Sequence, residues 1–151
     1  MSQPLPPPLP VTWRPRRGRI VPYVFAAVIL LGAVLMAIFI ADPFKLPDRL
    51  AIVGFGLAVA AVLHMLARVR VEADEQGLTV VNVLRTHRYT WPEVLDVTLI
   101  AGEPWPKIDY SDGMTIGAMG IQGSEKALAR KATAELAALI RTRGEAANHQ
   151  D

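Results

Sequence analysis

Chemistry has few footholds in this 151-residue chain. It contains no cysteine, which removes disulfides, thiolate nucleophiles and thiolate metal sites together. Its histidines, His64, His87 and His149, show no ligand spacing such as an i, i+4 pair, so no metal site is expected. Neither a G-x-S-x-G elbow, a phosphate-binding glycine loop nor an H-E-x-x-H pair is present, and no cofactor is expected. Glu103, Asp109 and Asp112 lie near one another in the chain and have the chemistry for general acid–base work. Each flanks a turn, however, where carboxylates ordinarily form the turn or sit solvated. Trp91 and Trp105 offer ring faces for stacking, but a tryptophan beside a proline in a small sheet ordinarily packs in the core or at its rim. The chain reads as a non-enzyme with no small-molecule substrate.

The remaining candidates are cationic. Arg68, Arg70, Arg85, His87 and Arg88 are the side chains proposed to touch anionic lipid or a partner, against the plainer reading of a solvated polar face. The net charge is only +2, and the pI of about 9.2 comes mainly from arginines flanking apolar runs. That pattern speaks for membrane topology and surface attraction, not for nucleic acid.

Those runs are the elements that must position everything else. Residues 20–41 and 50–67 are uncharged and apolar, and the loop 42–49 between them holds Pro43 and Pro47. A span needs roughly 20 apolar residues, so the first run suffices and the second is at the short limit. Two prolines suit a reversal, giving a helical hairpin in a membrane. A cleaved signal peptide fits less well, because the first run is too long and Phe39 stands where a small residue is needed. A soluble core helix is the alternative for the second run, which contains His64. Arg14, Arg16, Arg17 and Arg19 precede the hairpin and Arg68 and Arg70 follow it, which puts both termini in the cytoplasm and the short loop outside. Trp13 and Tyr23 are expected at the membrane interface. His64 reads as an interfacial histidine near Arg68. Gly54, Gly56 and Ala58, facing Gly32, Ala33 and Ala37, permit close helix approach.

Residues 1–19 read as a tail, proline-rich in its first ten positions and basic thereafter, with a Pro4-x-x-Pro7 element of the kind that docks in aromatic grooves. Residues 68–143 read as one small domain and 144–151 as a polar tail. After the hairpin the pattern alternates. Val69, Val71 and Ala73 form one strand, and Leu78–Val83 a second, across a turn at Asp74-Glu75-Gln76-Gly77 where glycine supplies a positive φ. Short strands follow around Arg88–Thr90, at Val94–Ile100, and at Lys107–Tyr110 paired with Met114–Ala118 across Asp112-Gly113, while Met119–Gln122 extends the last strand or adds one. Helix 124–143 begins at the N-cap Ser124, buries Leu128, Ala132, Leu136, Leu139 and Ile140, and stops at Gly144.

This order resembles the actinobacterial membrane proteins known as the low-molecular-weight protein antigen 6 family. The resemblance lies in Trp13-Arg14-Pro15, Val71–Leu78, Tyr89-Thr90-Trp91-Pro92-Glu93-Val94, the Asp112-Gly113 turn and the closing helix. It implies an α+β membrane protein: a two-helix transmembrane hairpin followed by a small PH-like antiparallel barrel or sheet capped by an amphipathic helix. A PH-like barrel invites phosphoinositide binding, but the acidic Asp74–Gly77 loop would repel that headgroup. The functional expectation is a cell-membrane protein of two spans whose cytoplasmic module binds another membrane protein or its own copies. Contact with anionic lipid through the arginines and the Arg85–Arg88 hairpin is the alternative.

Overall fold

The computed structural model describes residues 5–147, without the side chains of Arg16, Arg17 and residues 145–147. Pro4 and residues 148–151 of the C-terminal tail, His149 among them, therefore lie outside the described residues. The chain divides into a helical hairpin, residues 16–68, and a β-rich unit formed by the segments before and after it.

Within the hairpin, α1 (Arg16–Phe39) and α2 (Leu46–Ala67) are each long and apolar enough to cross a membrane. Both begin four residues before the expected runs, because Arg16–Arg19 and Leu46–Arg49 are helical too. Phe39 is 79% exposed and Phe55 73%. A soluble core helix would bury such side chains. The expected small-residue contact is present at one point: a Cβ on Gly56 would lie 2.8 Å from the Ala33 Cβ, whereas Gly32 and Gly54 face open space. Arg49 is more than a loop charge, since its guanidinium donates to the carbonyls of Ala37, Ile38 and Ile40 at 2.8–3.1 Å. It thereby satisfies acceptors that the end of α1 leaves free, on the negative end of the helix dipole. Tyr23 and His64 also meet across the hairpin, Tyr23 Oη lying 3.1 Å from His64 Nδ1, so both residues have a partner on the opposite helix. Replacing Gly56 by leucine should force α1 and α2 apart at a cost of about 1–3 kcal/mol. Thermal unfolding in mild detergent should drop for Gly56→Leu and hold for Gly54→Leu, whose position faces open space.

The β-rich unit contains two antiparallel sheets and one helix. Strands β1 (Val11–Trp13), β2 (Arg70–Ala73), β3 (Gly77–Val81) and β4 (Thr86–Thr90) form the first sheet in that order. Strands β5 (Val94–Thr98), β6 (Lys107–Tyr110) and β7 (Thr115–Gly117) form the second. The helix α3 (Ala127–Ala147) packs on β5 and on the 3-10 turn Trp91–Glu93.

The largest departure from expectation is β1. Residues 11–13 belong to the sheet and not to a tail, with Val11 opposite Ala73 and Trp13 opposite Val71. The hairpin is thus inserted between two paired strands. Trp13, expected at the interface, is 8% exposed, joins the core and donates its indole N–H to Glu135 Oε2 at 3.0 Å. The physical reason is that burial with a partner for the ring nitrogen satisfies both the apolar and the polar part of tryptophan.

Smaller departures have equally local causes. Gly77 has no positive φ; among the described residues that property belongs to Gly102, Gly113 and Lys126. Glycine is needed at position 77 because a Cβ there would lie 2.0 Å from the Tyr89 carbonyl oxygen. The 74–77 turn is closed instead by Asp74 Oδ1, which accepts the N–H groups of Gln76 and Gly77. Ser124 lies inside a 3-10 turn, Gly123–Glu125, and α3 starts three residues later, so Ser124 is not its N-cap. Gly144 does not stop α3, which continues to Ala147. Leu128 is 48% exposed and Ala129 takes its place in the core, because the buried face runs through 129, 132, 136, 139 and 140. Residues 119–122 form a turn against β2, where Gly120 lets the backbone approach Arg70 closely. Leu95 is exposed at a register shift between Val94 and Asp96, a bulge that turns its side chain out of the alternation.

Candidate interaction site

The four cationic candidates of the β-rich unit, Arg70, Arg85, His87 and Arg88, do not form one cluster. His87 and Arg88 are successive residues of β4, and a strand sends successive side chains to opposite faces. His87 stands opposite the buried Val80, whereas Arg88 stands opposite Thr79 and donates from Nε to its Oγ1 at 3.2 Å. Arg70 pairs with Glu72 at 2.6 Å, and Glu72 also lies 3.6 Å from Arg14. Arg68 terminates α2 and is itself engaged. Arg85 remains exposed in the β3–β4 turn, its carbonyl accepting from the Asn82 N–H, beside a Leu84 that is 79% exposed. Asn82 ties that turn to the second sheet through the Gly117 carbonyl and the Met119 N–H.

The acid–base candidates are dispersed as well. Glu103 pairs with Lys107, and Asp109 accepts from the Thr115 hydroxyl. Asp112 accepts from Tyr89 Oη and from the Met114 N–H. Trp105 covers Gly117, while Trp91 is buried and donates its indole N–H to the Asp74 carbonyl at 3.0 Å.

What sequence reasoning missed is a cavity of about 300 Å³ bounded by Asp74, Thr79, Arg88, Tyr89, Thr90 and Glu93. Its carboxylates are already committed. Asp74 closes the turn described above, and Glu93 Oε2 accepts from both the N–H and the hydroxyl of Thr90 at 2.7 Å. The signal was available in Thr90-Trp91-Pro92-Glu93, a capping box around the 3-10 turn. Those bonds, the Thr90 hydroxyl first and its N–H second, lower the Glu93 pKa, so this group is an anion at neutral pH and no proton donor. Partial desolvation, then the Asp112 charge, raises the pKa of Tyr89. Tyr89 stacks on Tyr110 with centroids 3.8 Å apart, and burial pushes the Tyr110 hydroxyl up strongly. That hydroxyl has no hydrogen-bond partner among the described residues.

Glu93 has a pH consequence. A carboxyl whose folded pKa is depressed stabilises the fold above its unfolded pKa, and the contribution disappears as pH falls through the folded value. Thermal midpoints recorded from pH 6 down to pH 3 should therefore fall less for Glu93→Gln than for the parent, since the amide cannot titrate.

Residues 68–139 match the family model described as the bacterial PH domain. The match starts after the hairpin and so leaves out β1, the strand that completes the first sheet of this PH-like domain. Uncharacterized proteins of Mycobacterium bovis and of two Mycobacterium tuberculosis strains are 34% identical to the chain over 83 residues, 55% of this chain and 54% of theirs. The chain spans about half the length of the curated relatives it matches. No solved structure matches it. The α+β layout, two long apolar helices with antiparallel sheets and a C-terminal helix, agrees with the fold expected from the sequence.

Proposed function

We propose that the chain is a non-enzymatic module anchored in the cell membrane by two spans, whose cytoplasmic PH-like domain binds another membrane protein or its own copies. The observation that carries this reading is the insertion of the hairpin between paired strands β1 and β2. Strands that pair must lie on one side of a bilayer, which supports an even number of crossings. The flanking arginines favour the cytoplasmic side. Holding a domain at the membrane raises its effective concentration toward other membrane proteins. The commitment of Asp74, Glu93, Glu103, Asp109 and Asp112 to structural partners supports a non-catalytic role. The proposal extends to membership of the antigen 6 family, supported by the Trp13-Arg14-Pro15 and Tyr89–Val94 segments.

Co-purification in mild detergent tests the reading, comparing the intact chain with one ending after Arg70. Proteins held only by the intact chain are expected; identical sets from both would refute a binding role for the domain. Single cysteines at Lys45 and Asp151 should label from outside and only after lysis, respectively, with an impermeant maleimide.

A second reading rests on the β3–β4 turn, where the exposed Leu84 next to Arg85 has the composition of a tip that enters an anionic lipid surface. It requires domain–liposome association that weakens with salt and with Leu84→Ser. Association indifferent to both would dismiss it.

A further inference from the structure

A larger cavity, of about 620 Å³, opens between the loop after β5 and the start of α3. The loop contributes Leu99, Ile100 and Glu103, and the helix side contributes Ser124, Lys126 and Arg130. Its charge is unbalanced. Lys126, immediately before α3, and Arg130, in its first turn, both line it. They also stand at the end where the helix dipole is positive, and α3 has no acidic residue in its first turn. Neither cation has an ion pair among the described residues. The neighbouring Glu125 is itself engaged. Glu103 is held by Lys107, and its second carboxylate oxygen is buried without a partner, so it neutralises neither cation. Beside them the wall turns apolar, with Ile100 54% exposed.

We infer that this cavity receives an acidic segment of a protein partner that alternates carboxylates with aliphatic side chains. Carboxylates meet Lys126 and Arg130, the Ser124 hydroxyl donates a further hydrogen bond, and an aliphatic side chain covers Ile100. The inference rests on the protein-binding reading and names the chemistry of the partner. An inorganic anion would leave the apolar wall wet, and a bilayer surface does not enter a cleft, whereas a peptide supplies both charge and apolar area.

The test uses the full chain in nanodiscs of neutral lipid. It is titrated with a fluorescein-labelled Glu-Leu-Glu-Leu-Glu peptide, its Lys-Leu-Lys-Leu-Lys counterpart, inorganic phosphate, and phosphatidylglycerol vesicles. The acidic peptide should bind, and binding should weaken as salt is raised. Lys126→Glu with Arg130→Glu should reduce affinity about 100-fold, two charge-assisted contacts being lost. Lys126→Gln with Arg130→Gln, conservative at exposed positions, should show a smaller loss in the same direction, and Arg141→Glu, at an exposed cation near the other end of α3, should change nothing. No acidic-peptide binding, equal binding of the basic peptide, or affinity unchanged in both double variants overturns the inference. So does preference for phosphate or vesicles, which would mark the cavity as a small-anion or lipid site. Partners that still co-purify with the Lys126→Glu, Arg130→Glu chain would overturn this site alone. A chain that captures no protein in either form would overturn the protein-binding reading beneath it.

Discussion

Trp13→Ala should destabilise the PH-like domain by about 3–5 kcal/mol, the range for removing a large aromatic from a core. That is a large share of the 5–15 kcal/mol by which a typical domain is stable. The expectation follows from the 8% exposure of Trp13, its place in the core and its bond to Glu135. It concerns a residue on the far side of the hairpin in sequence, outside the segment 68–139 that matches the bacterial PH domain. Hydrogen exchange of the β2 and β3 amides in the full chain should accelerate sharply. Trp13→Phe keeps most of the packing and loses the indole donor, so it should cost only about 1–2 kcal/mol. If Trp13→Ala left exchange in β2 unchanged, β1 would not be an integral strand.

Gly77→Ala should cost about 3 kcal/mol, although it adds a single methyl group. The new Cβ would lie 2.0 Å from the Tyr89 carbonyl oxygen and 2.9 Å from the Thr90 Cα. Both atoms are backbone of the paired strand β4, so no side-chain rotation relieves the overlap. The strands must separate where β3 is buried along its whole length. Gly144→Ala is the matching control, since nothing lies within 4 Å of its Cβ position and the residue is helical. It should stabilise the chain by about 0.5–1 kcal/mol, because alanine loses less backbone entropy in a helix. Thermal unfolding of the two variants should move in opposite directions.

Both strong predictions concern contacts that are distant in sequence, and the same division runs through the molecule. Two apolar runs, the alternation after Val69 and the Asp112-Gly113 turn are local patterns, and they determined the hairpin, most strands and the closing helix. Local capping chemistry was present but misread: the Thr90–Glu93 box went unnoticed, and the cap expected at Ser124 lies inside a 3-10 turn. The separation of His87 from Arg88 needed nothing beyond the period of a strand.

Tertiary structure alone decided the rest. A three-residue strand such as β1 carries almost no periodicity, and its partner lies beyond the hairpin, so only the completed sheet reveals why Trp13 is buried. Gly77 is dictated by the backbone of β4, and the cation-lined cavity exists only where the β5–β6 loop meets the start of α3. Sequence determines what each segment can become by itself. Long-range pairing decides which charges remain without a partner, because that depends on what the fold brings within a few ångströms.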